Sequence, residues 1–319
     1  MSRVYIIMYH YVRNIRGSRY PGIKGLETGD FIKQLDHFAG NGFTFIRMED
    51  LINAYYEGAA LPEKPVLLTF DDGYSDHYAN VFPILSERGI QGSFFVPGEV
   101  MERKTVLPVN KIHYILASVK DHRALRDELL SLIGQYRGRE FYIPEDRELL
   151  KKYETPGKFD VQETAFIKRM LQAALPEGLR DILCGKLMEK YLGIPEEVLW
   201  EELYLKDYQL KTMKKHGMFI GAHGYHHYHL DSVPVPEMKE DLIKGLDCLT
   251  GLIDRDCWVM NYPYGSFNDE VEKEVKALGA KLAITTKVGI NDTEENDAYN
   301  ISRLNTRDFP PITFKASTL

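Results

Sequence analysis

Short apolar runs alternate with amphipathic stretches over the first hundred residues. Residues 4–8 are almost wholly apolar and predict a buried first strand. Phe31, Leu35 and Phe38 recur at helical spacing, which predicts a helix over about 29–39, and Gly40-Asn41-Gly42 ends it. Residues 43–46 read as the next strand, 49–56 as a helix, and 66–70 as a strand that runs into Asp71-Asp72-Gly73. A helix over about 76–88, stopped by Gly89, and a strand at 93–96 complete this part. Strands and helices in strict alternation predict a parallel α/β sheet or barrel.

The pattern changes near Pro97-Gly98. Residues 101–204 are charged and read as helices at 112–119, 124–136, 164–174, 179–191 and 196–202. The alternation then resumes with a helix at 207–216 and a strand at 219–222. The helix expected at 236–253 carries Met238, Leu242, Leu246 and Leu249 along one face. A strand at 257–261, a helix at 269–278 and a strand at 281–285 are the last elements predicted. Residues 1–100 and 205–319 are therefore expected to form one α/β domain, interrupted by an inserted helical segment at 101–204.

Composition narrows the class. The chain has 319 residues, 44% hydrophobic and 27% charged, which describes a globular protein with room for a large core. A net charge of −7 argues against a broad nucleic-acid surface. The three cysteines form no C-x-x-C pair and suggest no disulfide framework. The opening MSRVYIIMYHYV is too short in its apolar run for a signal peptide, and no stretch approaches a membrane span. The expected compartment is the cytoplasm.

Three stretches could carry chemistry, and each follows a predicted strand. LLTFDDGYSD places Asp71 and Asp72 at a strand's carboxyl end, where parallel α/β folds build their sites. Adjacent carboxylates repel unless a cation or proton intervenes. Taken alone, they read better as a solvated loop before a helix cap. GAHGYHHYHL holds four of the chain's ten histidines: His223, His226, His227 and His229. Two imidazoles and one carboxylate make a common zinc-type ligand set with a position open for water. His223 and His227 are four apart; His226 and His229 align with nothing else. NYPYGSFN contains a turn at Pro263 and Gly265 that could present backbone N–H groups to an oxyanion.

In this order the three stretches resemble the motifs of the polysaccharide deacetylases (NodB homology, carbohydrate esterase family 4). Thr69-Phe70-Asp71-Asp72-Gly73 matches the first motif in full. The run from His223 through His227 to Leu230 resembles the second, and Tyr262-Pro263-Tyr264-Gly265 the third. The resemblance covers roughly residues 1–100 and 205–290. It implies a distorted (β/α) barrel with a metal at the carboxyl ends of its strands. It implies Asp72, His223 and His227 as ligands of a divalent metal, with zinc favoured over cobalt or nickel. Asp71 would be the base, and the backbone N–H of Tyr264 an oxyanion donor. The implied activity is removal of an N-acyl group, acetyl first, from an amino sugar or glycan precursor. An N-deformylase, another amide N-deacylase and a non-catalytic carbohydrate-binding relative are the alternatives.

The chain departs from the family pattern at three points. Gly224 stands where Ser or Thr is usual. Asn261 stands where the family often has an arginine that orients the base. The last histidine is His229, so the late histidine that often acts as general acid has no counterpart. That need points to His10, at the end of the first strand, as the proton donor. A strand-end histidine bonded within the barrel is the competing reading, with Asp71 then serving as both base and acid. Arg13, Arg16, Arg19 and Lys24, near Tyr20, read as a phosphate site or a solvated loop. Lys111 and His113 could fold over the site or lie on a surface helix. Trp258 and Tyr225 could stack on sugars or pack.

Overall fold

The computed structural model describes residues 3–139, 141–157 and 160–311. Two compact units are present: residues 1–14, 25–105 and 200–319 form one, and residues 15–24 and 106–199 the other.

The first unit is built on nine strands. They are β1 (Arg3–Tyr9), β2 (Thr44–Phe45), β3 (Pro65–Phe70), β4 (Gly92–Val96), β5 (Phe219–Ala222), β6 (Val259–Asn261), β7 (Leu282–Val288), β8 (Asn291–Asp292) and β9 (Ile301–Asn305). Seven of them close into a ring. β1 pairs with β3, the order continues through β4, β5, β6 and β7 to β9, and β9 returns to β1, every pair parallel. β2 and β8 are two-residue strands outside the ring, on the start of β3 and antiparallel to β1. The architecture is a (β/α) barrel, distorted by closing on seven strands.

Burial explains the apolar runs. β3 and β4 are buried at every residue, as strands covered on both faces must be. One apolar cluster draws Val4 and Ile6 from β1, Leu67, Phe95, Phe219 and Val259 from β3 to β6, Leu282 and Ile284 from β7, and Ile301 from β9. Side chains from all seven strands can meet only inside the ring. Met48, Leu51 and Ile52 of the helix Met48–Glu57 join the same cluster.

The structure corrects several expected elements. The helix expected at 236–253 is Val235–Cys248, because the chain turns at Gly251 with φ +82°. The helix after Asp72 begins as a π-turn, His77–Val81, before Phe82–Glu87. β9 falls beyond the last predicted element, yet the barrel closes on it.

The second unit is helical, with helices at Pro108–Ser118, His122–Tyr136, Asp146–Tyr153, Gln162–Arg169 and Glu177–Tyr191. Ile112, Ile115, Leu129, Phe166, Leu183 and Leu187 are fully or almost fully buried in it. Several of its basic residues are paired within it. Lys24 and Lys168 share Asp160, Arg19 donates to the carbonyl of Leu192, and Lys111 pairs with Glu196. These pairs occupy two members of the early basic cluster, Arg19 and Lys24. Among the described residues, no helix is long and apolar enough to cross a membrane.

Candidate metal centre

Because the ring strands are parallel, their carboxyl ends share one rim. Asp71 and Asp72 leave β3, His223 leaves β5, Asn261 ends β6, and His10 follows β1. Asp72, His223 and His227 converge there, with one ligand atom of each within 4.8 Å of the others. Nε2 of His223 and Nε2 of His227 lie 3.3 and 3.2 Å from the same oxygen, Asp72 Oδ1. That oxygen is buried and has no hydrogen-bond partner. The other, Oδ2, accepts from the Tyr74 hydroxyl at 2.6 Å.

The tautomer of His223 follows from its second contact. Its Nδ1 sits 2.6 Å from the carbonyl oxygen of Asn261. A carbonyl only accepts, so Nδ1 carries the proton and Nε2 turns a lone pair toward Asp72. A carboxylate oxygen facing a nitrogen lone pair is repelled unless a cation or a proton lies between them. The donor set and the partnerless oxygen therefore fit a divalent cation.

The backbone is strained at the same place. Among described residues, four non-glycines have positive φ: Lys64, Asp72 (71°), His227 (59°) and Tyr264 (59°). Each costs on the order of 1–3 kcal/mol, and such strain clusters at functional sites.

Asp71 is held from one side. Its Oδ1 accepts from Asn261 Nδ2 at 2.7 Å and from Arg303 Nη1 at 2.8 Å. Arg303, on β9 and 1% exposed, also donates to Thr285 O, Thr69 Oγ1 and Asn261 Oδ1. Burial would raise the Asp71 pKa; Arg303, His10 and His223 together bring it below the ordinary value. Asn261 stands where the family pattern has the arginine beside the base. The structure supplies one from β9, and Asn261 bridges it to the carboxylate. Asp71 Oδ2 faces His10, whose Nε2 is 3.7 Å away.

The histidine loop is anchored by a residue that the motifs omit. Asp241, buried on the helix Val235–Cys248, accepts from the backbone N–H of Tyr225 (2.9 Å) and of His226 (2.8 Å). Its Oδ1 also lies 2.9 Å from His226 Nδ1, which ties that ring away from the cluster. Gly224 takes φ +68°, and a Cβ there would stand 2.9 Å from Asp241 Oδ2. The missing hydroxyl is thus matched by a glycine turn and a carboxylate beneath it. Asp241→Ala would leave the buried N–H of Tyr225 and the part-buried N–H of His226 unpaired. It is expected to destabilise the fold by about 2–4 kcal/mol in urea unfolding.

Tyr264 lies between rings. It meets His227 at 4.6 Å, stacks on His229 at 3.9 Å, and its carbonyl accepts from Thr286 Oγ1 at 3.0 Å. His229 therefore belongs to the rim through Tyr264. Trp258 and Tyr225 are buried and pack. Trp258 donates to Leu278 O, and the Tyr225 hydroxyl bonds Glu102.

Seven parallel strands closed in a ring, with a carboxylate and two imidazoles converging at their carboxyl ends, define a (β/α) barrel with a candidate metal centre. The polysaccharide deacetylase family profile matches residues 58–128 and 143–283, well over half of the chain. The chain belongs to the polysaccharide deacetylase family. Deacetylases of this family are metalloenzymes that act on amide bonds.

YxkH of Bacillus subtilis (strain 168) is 17% identical over 288 residues, which are 90% of this chain and 66% of that protein. The poly-β-1,6-N-acetyl-D-glucosamine N-deacetylase of Escherichia coli (strain K12) is 49% identical over 45 residues, 14% of this chain and 7% of that one. The fold resembles that of Streptococcus pyogenes deacetylase PplD in complex with acetate (TM-score 0.57, 17% identity, covering 95% of this chain and 92% of that one). It also resembles IcaB from Ammonifex degensii (TM-score 0.56, 20% identity, covering 96% and 92%).

Proposed function

We propose that the protein is a metal-dependent N-deacetylase acting on an amino-sugar glycan or its precursor. The observation that carries this reading is the convergence of His223 and His227 on a partnerless oxygen of Asp72, beside a second carboxylate held by one oxygen only. Asp72, His223 and His227 would hold the ion. When bound, a divalent cation polarises a carbonyl and makes water acidic enough to supply a nucleophile near neutral pH.

The chain's own residues account for the proton traffic. Arg303 and Asn261 occupy Asp71 Oδ1, which leaves Oδ2 to accept a proton from the attacking water. Water adds to the amide carbon, and the backbone N–H of Tyr264 is the proposed donor to the oxyanion. The C–N bond then breaks as His10, in its protonated form, gives a proton to the departing nitrogen. The products are an amine and acetate. His10 and Asp71 Oδ2 stand near each other without a hydrogen bond, which suits an acid and a base serving one reacting amide.

A panel of N-acetylated sugars, from the monosaccharide to β-1,6- and β-1,4-linked N-acetylglucosamine oligomers, tests this reading by acetate release. At least one member is expected to yield acetate. Chelation should stop the release, and zinc, cobalt or nickel should restore it. Release of formate alone from N-formyl substrates would change the acyl group. Sugar binding without turnover by the metal-loaded protein would favour a binding protein.

A further inference from the structure

The ring of His10 is poorly held for a proposed proton donor. Its side chain is 41% exposed, and its approach to Asp71 Oδ2, at 3.7 Å, is too long for a hydrogen bond. What holds the residue is its backbone. His77 Nε2 lies 3.0 Å from the carbonyl oxygen of His10. Asp76 Oδ2 accepts from the Val12 N–H at 3.2 Å and from Arg13 Nε at 2.6 Å. Asn80 Nδ2 donates to the carbonyl of Val12 at 2.8 Å. All three side chains come from the turn that follows Asp71-Asp72-Gly73. The Asp71 N–H itself donates to Tyr9 O at 3.0 Å. The base and the residue before His10 are thus joined by the ladder, and His10 by the collar around it.

His77 is the costly member of this collar. It is fully buried, with its ring against Phe70, Tyr74 and Phe94, and its Nδ1 has no hydrogen-bond partner. A phenyl ring would fill such an aromatic pocket without stranding a polar atom. What imidazole adds is the Nε2–H that reaches His10. The residue also opens the π-turn His77–Val81, a one-residue insertion of the kind frequent at functional sites.

We propose that His77 is a positioning residue: by fixing the His10 carbonyl, with Asp76 and Asn80 fixing Val12 two residues on, it sets the His10 imidazole against Asp71 Oδ2. The inference rests on the reading of His10 as proton donor.

The test uses the metal-loaded protein and whichever N-acetylated oligomer releases acetate. His77→Phe is expected to lower kcat about 10- to 100-fold with KM nearly unchanged, as misplacement of a reacting group does. Metal content should stay at the wild-type level. His77→Gln, whose amide N–H can approach the position of Nε2, should recover most of the rate. In a His10→Ala background, His77→Phe should cost nothing further. An equal loss with and without His10, or no difference between the Phe and Gln variants, would overturn the proposal. Should His77→Phe fold poorly, Asn80→Ala loosens the same collar from a partly exposed position and should show the same dependence on His10. A second readout needs no turnover. The His10 Cε1–H resonance, assigned through His10→Ala, should move in His77→Phe and lie near its wild-type position in His77→Gln. An unmoved resonance in His77→Phe overturns the positioning role even if no sugar proves to be a substrate; absence of turnover by the wild type counts against the proposed function alone.

Discussion

Asp72→Asn is expected to remove divalent metal binding and to lower acetate release by about a thousandfold or more, while the protein stays folded. A bound cation supplies several kcal/mol of charge stabilisation in the transition state, and each 1.36 kcal/mol is a decade in rate. Asp72 is the anionic member of the three, and both imidazoles point at its Oδ1. Asparagine keeps the shape, tolerates the φ of 71°, and still offers an oxygen to Tyr74. The loss should therefore be one of charge and not of fold. Thermal unfolding provides an independent measure. A cation that binds only the folded state raises the midpoint by mass action, so zinc should raise it for the wild type and leave the variant unmoved. A variant that retained wild-type metal stoichiometry and turnover would sink the assignment of Asp72.

The parts of this site that were legible in sequence are those with local signals. Asp71 and Asp72 follow a buried run, and His223 and His227 follow another. A parallel barrel delivers both strand ends to one rim whatever lies between them. Arg303 carries no such signal. Its strand, ISRLN, has two strongly apolar positions and an arginine between them, which reads as exposed loop. Its burial depends on Asp71, 232 residues away in the chain, and no local pattern reports a partner at that distance. The requirement that the ring close was the available clue, since a parallel strand had to lie between β7 and β1. Asp241, which the motifs omit, does carry a local signal. It falls within the stripe of Met238, Leu242 and Leu246, so a charged residue stood at a core position and needed a reason. His77 looks like the polar face of an ordinary helix. Its burial follows from the π-turn and from the Phe70, Tyr74 and Phe94 rings around it, which periodicity alone does not reveal.

Arg303→Met is expected to be the more damaging change to the fold. It leaves the buried Asp71 carboxylate with Asn261 on Oδ1 and no cation on that oxygen. Breaking a buried ion pair from one side costs about 3–5 kcal/mol, because the remaining charge is uncompensated. The same change frees Asp71 to turn, so acetate release should also fall. The double variant Asp71→Asn, Arg303→Met separates the two effects. With both charges gone, no buried ion lacks a counter-ion, and an amide at 71 can still bond Asn261. Urea unfolding of the metal-free proteins should therefore show the double variant regaining much of the stability that Arg303→Met lost, with a coupling energy well above that of independent sites. Activity should not return, because the amide cannot accept the proton from water. If the two losses of stability simply add, Arg303 is packing for the barrel wall and not the counter-ion of the base. If the double variant regains stability and turns over at the wild-type rate, Asp71 is not the base. Stability and rate thus report on different oxygens of one carboxylate: Oδ1, which Arg303 and Asn261 hold, and Oδ2, which faces His10 across 3.7 Å.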